Sequence, residues 1–193
     1  MRRSSRRRGL PDDPRPTGSV RLFSSVHQAL IMSTAQRYFD EIAVGQSITM
    51  LSKGPMTTMH IMRWSAAIEN WHRIHYDRDF ATGHEGLPDI LVNGSWKQHV
   101  LVQCLKDWAG LGGWLWKIKF QFRDKDLPGD TLVAGGTVTG TSRRGGMGIV
   151  ECDIYLENQR GVRSTTGEAH VALPLRAGAP LPYPFVAPPP ADV

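Results

Sequence analysis

Two periodicities divide the chain. Thr57 to Trp71 holds no Gly or Pro and follows a Thr pair suited to capping an N-terminus, so the run predicts a helix. Ser95 to Ala109 predicts a second helix. Its Trp96, Val100, Leu101, Leu105 and Trp108 recur close to the 3.6-residue helical period and form one apolar stripe, which Gly110, Gly112 and Gly113 bring to an end. From Trp114 the period falls to two. Trp114, Trp116, Ile118, Phe120 and Phe122 alternate with Leu115, Lys117, Lys119, Gln121 and Arg123, which predicts a strand with one face buried, in the core or at a dimer interface. Thr131 to Arg143, Met147 to Asn158 and Val162 to Leu175 predict three more strands, joined through Arg144-Gly145-Gly146 and Gln159-Arg160-Gly161. A first strand falls at Ser47 to Ser52. One strand, two helices and then four strands is the segregated order of an α+β domain in which an antiparallel sheet wraps a central helix, here the Ser95 helix.

Composition narrows the picture without changing it. A chain of 193 residues with 40% hydrophobic content suffices for one domain with a substantial core. The net charge of +5 suggests nucleic acid until it is divided along the chain. Residues 1–31 carry seven Arg and two Asp, and subtracting these from the 23 basic and 18 acidic residues leaves 16 of each. The basic balance therefore belongs to an N-terminal extension, read as disordered, and argues against a nucleic-acid-binding domain. That extension has the Arg and Ser content of a transit peptide, but Asp12, Asp13 and its prolines spoil an amphipathic helix; an over-extended start before Met32 is the preferred reading. Residues 177–193 carry six prolines and are expected to be extended or disordered. Cys104 and Cys152 fit neither a metal spacing nor a disulfide framework. No apolar run approaches the roughly 20 residues needed to span a bilayer, so a cytoplasmic location off the membrane is expected.

Candidate chemistry concentrates between Arg63 and Asp77. Asn70, His72 and His75 fall at or just past the end of the first predicted helix, where a turning backbone lets side chains from a short segment converge. A single His or Asn at a helix end is ordinarily structural, and it is the grouping that argues for chemistry. Arg73 and Asp77 are expected to pair and pin the loop. His60, His84, His99 and His170 lack the Cys or carboxylate spacing of a zinc site.

Asn70-Trp-His-Arg-Ile-His-Tyr-Asp, then Gly86-Leu-Pro, then Leu91-Val-Asn-Gly resemble the MaoC-like acyl dehydratases and enoyl-CoA hydratases of hot-dog fold. Within that family the run is most similar to the mesaconyl- and itaconyl-CoA hydratase and fungal mitochondrial 3-hydroxyacyl-thioester dehydratase branch. The likeness covers residues 36–175, a single hot-dog domain. The broader family's Asp and His, five positions apart, fall on Asn70 and His75, and its intervening Asn falls on His72. Its His-Gly before the central helix is Asn93-Gly94 here.

The resemblance implies hydration of an enoyl thioester to a 3-hydroxyacyl thioester, or the reverse, on CoA or an acyl carrier protein and without a cofactor or metal. Such chemistry needs a base for water, an acid for Cα and donors for the enolate oxygen. It implies His75 as the acid/base, with Asn70 orienting water and His72, Asp77 or Glu69 in the second proton role. The backbone at Asn93, Gly94 and Ser95 would receive the thioester oxygen, Gly94 permitting close approach. Two other functions stay open: a hot-dog thioesterase, against which Asn70 counts because a carboxylate is wanted there, and a non-catalytic subunit, against which His75 counts. An exposed sheet edge and a half-closed acyl tunnel call for a second hot-dog domain, from a homodimer in preference to a heterodimer.

Overall fold

The computed structural model describes residues 36–189. The basic extension expected over residues 1–31 lies outside them.

Five strands form one antiparallel sheet: β1 (Ser47–Lys53), β2 (Trp114–Phe122), β3 (Leu132–Arg144), β4 (Met147–Asn158) and β5 (Arg163–Leu173), in the order β1-β3-β4-β5-β2. Two α-helices intervene after β1, α1 (Thr58–Ala67) and α2 (Gly94–Ala109). The sheet curls around α2, which touches all five strands. Val100, Leu101, Cys104, Leu105 and Trp108 are each at most 3% exposed and pack on the inward residues of β3, β4 and β5, such as Val138, Ile154 and Val171. Burying each large side chain contributes roughly 1.5–3 kcal/mol. The expected α+β hot-dog architecture, a sheet around a central helix, is the one observed.

β2 departs from the simple alternation. A β-bulge between Leu115 and Lys117 inserts one residue against β5 and reverses the phase of the strand. Leu115, Ile118 and Phe120 consequently face α2, whereas Trp116 packs on the opposite side with Met147, Ile149 and Ala172. β2 is also an edge strand, paired to β5 alone, so no residue of it is fully buried; Trp114 is 42% and Phe122 52% exposed. Residues 177–189 form no helix or strand, but Leu181 and Phe185 pack on the Trp116 cluster, and Phe185 stacks on Trp114 with ring centroids 5.4 Å apart.

α1 is shorter than its sequence suggests. Its start is reciprocal: Thr57 Oγ1 accepts from the His60 N–H, and His60 Nδ1 accepts from the Thr57 N–H. Its end is set by Glu69, the single non-glycine among the described residues with a left-handed backbone, at φ 54°. The Asn70 N–H then returns to the Ser65 carbonyl at 2.9 Å and the Glu69 N–H to Ala66 at 3.3 Å, a Schellman closure built without glycine. Four residues of the predicted helix, Ile68 to Trp71, thereby become the entrance to the irregular segment.

Candidate active site

Past α1, the chain is folded by short polar bonds. Asn70 Oδ1 accepts from the His72 N–H at 3.2 Å, and His72 Nδ1 from the Ile74 N–H at 3.5 Å. These turns lead into a 3₁₀ turn, Arg73–His75, that swings His75 inward. Tyr76 donates its hydroxyl to the Trp71 carbonyl at 2.7 Å. Arg73 grips Asp77 Oδ2 through two nitrogens at 3.0 and 2.7 Å, and Arg78 grips Asp89 at 2.8 and 3.2 Å. Asp77 also accepts from the Phe80 N–H; this bond, followed by Arg73, holds its carboxyl below the usual carboxylate range. Asp77 is therefore a committed carboxylate that pins the loop, as expected of its pairing with Arg73.

His75 is the buried member of the group, 8% exposed. Its Nδ1 lies 2.9 Å from the Leu91 carbonyl, an acceptor, so Nδ1 carries the proton and donates it. In the neutral ring Nε2 is then left with its lone pair free. Burial lowers the His75 pKa, outweighing the opposing effect of the Leu91 bond, with the nearby His72 adding to the depression. A neutral imidazole at physiological pH with Nε2 unprotonated is a general base. The His72 ring stands edge-on, 6.2 Å between centroids. Asn70, His72 and His75 thus lie within one linked set of turns, with the oxygen of Asn70 already occupied by the backbone of His72.

The segment Asn93-Gly94-Ser95 opens α2. Asn93 is 1% exposed, and its Nδ2 donates to the buried Ser65 Oγ at 3.0 Å, tying the start of α2 to the last turn of α1. Its side chain is thus committed to structure, while its carbonyl accepts from Trp96 and Lys97 as the first turn forms. Ser95 Oγ accepts from Trp64 Nε1 at 3.0 Å. A Cβ on Gly94 would sit 2.8 Å from the Phe122 ring, so only glycine fits without displacing it. The leading N–H groups of a helix have no intrahelical acceptor and carry partial positive charge, which suits a developing oxyanion. Beside this turn, a cleft of about 380 Å³ is walled by Trp64 and Trp96 and rimmed by Lys53, His60 and Arg63. A larger hollow of about 580 Å³ lies at the far end of α2, around Lys106, Leu111 and Trp114, and neither cavity is lined by Asn70, His72, His75, Asn93, Gly94 or Ser95 themselves.

Sequence reasoning missed a buried ion pair. Lys97, 3% exposed, places Nζ 2.7 Å from Asp126 Oδ2, 2.9 Å from the Asp124 carbonyl and 3.3 Å from the Ser164 carbonyl. The signal was present in the helical period: Lys97 precedes Leu101, Cys104 and Trp108 at offsets of four, seven and eleven and so lies on the core stripe. Neither cysteine is a nucleophile candidate, since burial pushes both thiols up to about 12.

Comparison with known proteins agrees with this architecture. The family profile of the hydroxyacyl-thioester dehydratases of type 2 matches residues 31–125. An (R)-hydratase from A. caviae involved in PHA biosynthesis superposes with a TM-score of 0.61 at 25% identity, covering 69% of this chain and 98% of that one. The ChsH1–ChsH2 complex of Mycobacterium tuberculosis gives 0.60 at 21%, covering 68% and 98%. A MaoC-like dehydratase from Rhodospirillum rubrum gives 0.64 at 20%, covering 72% and 98%. No curated protein matches the chain significantly in sequence.

Proposed function

We propose, from the premise that residues 31–125 match the hydroxyacyl-thioester dehydratase type 2 family and that the five-stranded sheet around α2 is a hot-dog domain, that this chain adds water to, or removes it from, an acyl thioester. The observation that carries the reading is the buried His75 with its proton held on Nδ1 by Leu91. In the hydration direction, Nε2 takes a proton from water as the oxygen attacks Cβ of the enoyl group. The electron pair moves to the thioester oxygen, where the leading N–H groups of α2 at Gly94 and Ser95 stabilise it, an effect worth about 10²- to 10³-fold. Collapse of the enolate takes a proton at Cα. His75, now charged, or His72 beside it supplies that proton, and Asn70 orients the water through its Nδ2. Asp77 is excluded from that role by its commitment to Arg73 and the Phe80 N–H.

No cofactor enters these steps. The acyl chain belongs in the cleft walled by Trp64 and Trp96, next to the turn that receives its carbonyl. The substrate is a CoA or acyl-carrier-protein thioester, and the working unit is a homodimer, because the edge strand β2 leaves Phe122 half exposed directly against Gly94. A panel of enoyl-CoA and enoyl-carrier-protein thioesters followed by mass spectrometry tests the reaction: addition of 18 mass units is expected, whereas release of free thiol would make the protein a thioesterase. Sedimentation of the active species at monomer mass would overturn the dimer.

A further inference from the structure

The Lys97–Asp126 pair sits where the two halves of the site meet. Its ammonium donates to the Asp124 and Ser164 carbonyls and lies 2.7 Å from Asp126 Oδ2 as an ion pair, and it stands 5.3 Å above the Phe122 ring that abuts Gly94. On the other side, the Asp126 carbonyl accepts from the Val92 N–H at 2.9 Å. Val92 follows Leu91, whose carbonyl holds His75 Nδ1 and whose N–H donates to Ile74. The Lys97 N–H bonds the Asn93 carbonyl at 3.2 Å, closing the first turn of α2. The residues of one ion pair therefore grip both the irregular segment that orients the imidazole and the helix turn that would receive the thioester oxygen.

The energetics of the pair also need explaining. Both charges are withdrawn from water, with Asp126 1% exposed, and neither of its carboxylate oxygens accepts a hydrogen bond among the described residues, so the ammonium at 2.7 Å holds it by charge alone. Desolvation of such a pair commonly cancels its attraction, and well-packed apolar residues in its place are often as stable or more so. A fold needing only stability at this point has a simpler solution in two apolar side chains.

We infer that Lys97 and Asp126 are positioning residues, a clamp that fixes the distance and angle between His75 and the start of α2. The inference rests on the hydratase reading for its kinetic consequence but has a signature of its own. Neutral imidazole free in water favours the proton on Nε2, and the Leu91 carbonyl reverses that preference here. If the clamp holds Leu91 in place, releasing it returns the proton to Nε2.

The test compares the wild type with Lys97→Met, Asp126→Leu and the double variant. Each single variant strands a buried charge and is expected to melt well below the wild type. The double variant is expected to regain most of that loss while its His75 ¹⁵N resonances move toward the Nε2–H pattern. Its kcat on an enoyl thioester is expected to fall about 10- to 100-fold, the scale of an ångström-sized misplacement, with KM little changed. A double variant of wild-type stability, tautomer and kcat would overturn the clamp and leave a purely structural pair. Should the apolar pair not fold, Lys97→Gln/Asp126→Asn carries the same readings. If the wild type hydrates no thioester, the proposed function fails, and the tautomer comparison still decides the clamp.

Discussion

Two regions of equal importance to the site are built by different physics. α2 and the sheet are placed by burial: their residues follow the 3.6 and 2 periods, and the inward members, such as Leu105 and Val150, are at most 1% exposed. Residues 68–92 follow no period. They are shaped largely by bonds spanning two to five positions, Asn70 to His72, Arg73 to Asp77 and Trp71 to Tyr76 among them; Leu91 to His75 closes the segment on itself, and it reaches the core through the buried Ala81, Ile90 and Val92 and through the bond from the Val92 N–H to the Asp126 carbonyl. Exposed Arg–Asp pairs such as Arg73–Asp77 each contribute at most about 1 kcal/mol. The irregular region thus offers precise local geometry at little cost to global stability. Chemistry and stability should separate accordingly when the two regions are perturbed.

The sharpest break in that comparison is His75→Ala. Removal of the general base is expected to lower kcat by about 10²- to 10⁴-fold. The Leu91 carbonyl loses its donor, so about 1–3 kcal/mol of stability should go with it. Enoyl-thioester kinetics beside a thermal melt checks both, and full activity in the variant would remove His75 from the mechanism. The pH profile of the wild type sharpens the same point. Since burial lowers the His75 pKa, hydration should be flat through neutrality and decline only as pH falls through a value below 6.5. Stability has the matching sign: the unfolded chain takes up the proton first as pH drops below 6.5, so stability is lost from there down to the folded pKa. In His75→Gln that contribution should vanish.

In the core the order of effects reverses. Leu105 is 1% exposed on α2, and Leu105→Ala should cost about 2–5 kcal/mol, read as a lowered urea midpoint. Its kcat at a temperature where the variant remains folded should equal that of the wild type. A kcat that collapsed with stability intact would mean that α2 transmits strain to its own N-terminus and that the two regions are not separable.

The same division explains what the sequence disclosed. Regular elements were legible because burial writes its period into residue order: β2, β3, β4, β5 and α2 all fall within about two residues of the predicted bounds. The end of α1 was not, because helix formers run on through Ile68 and Glu69, and only the left-handed backbone of a glutamate stops the helix. The facing of Trp116 was hidden by a bulge, which leaves no mark in an alternating pattern. Asn70, His72 and His75 were visible as a cluster from spacing and resemblance. Lys97 and Asp126 were not, since a charged residue on an apolar stripe finds its reason only in a partner 29 positions away. Such long-range polar partners are the part of a site least accessible to pattern.

The smallest expected effect is at Asn70→Asp. A carboxylate oxygen accepts from the His72 N–H as the amide oxygen does, and the backbone bond from Asn70 to Ser65 is untouched, so the turn should survive and the melting temperature should hold. What changes is charge. A carboxylate in this turn favours the imidazolium form of His75 and so opposes the depression that burial imposes on it. The acid limb of the hydration profile should therefore move to higher pH. Activity at pH 8 should be retained or raised, because the new group can accept the water proton that an amide only directs. Complete loss of hydration at pH 8 with an unaltered melt would show that Asn70 acts through its Nδ2 donor, and would give this side chain a role that no carboxylate can fill.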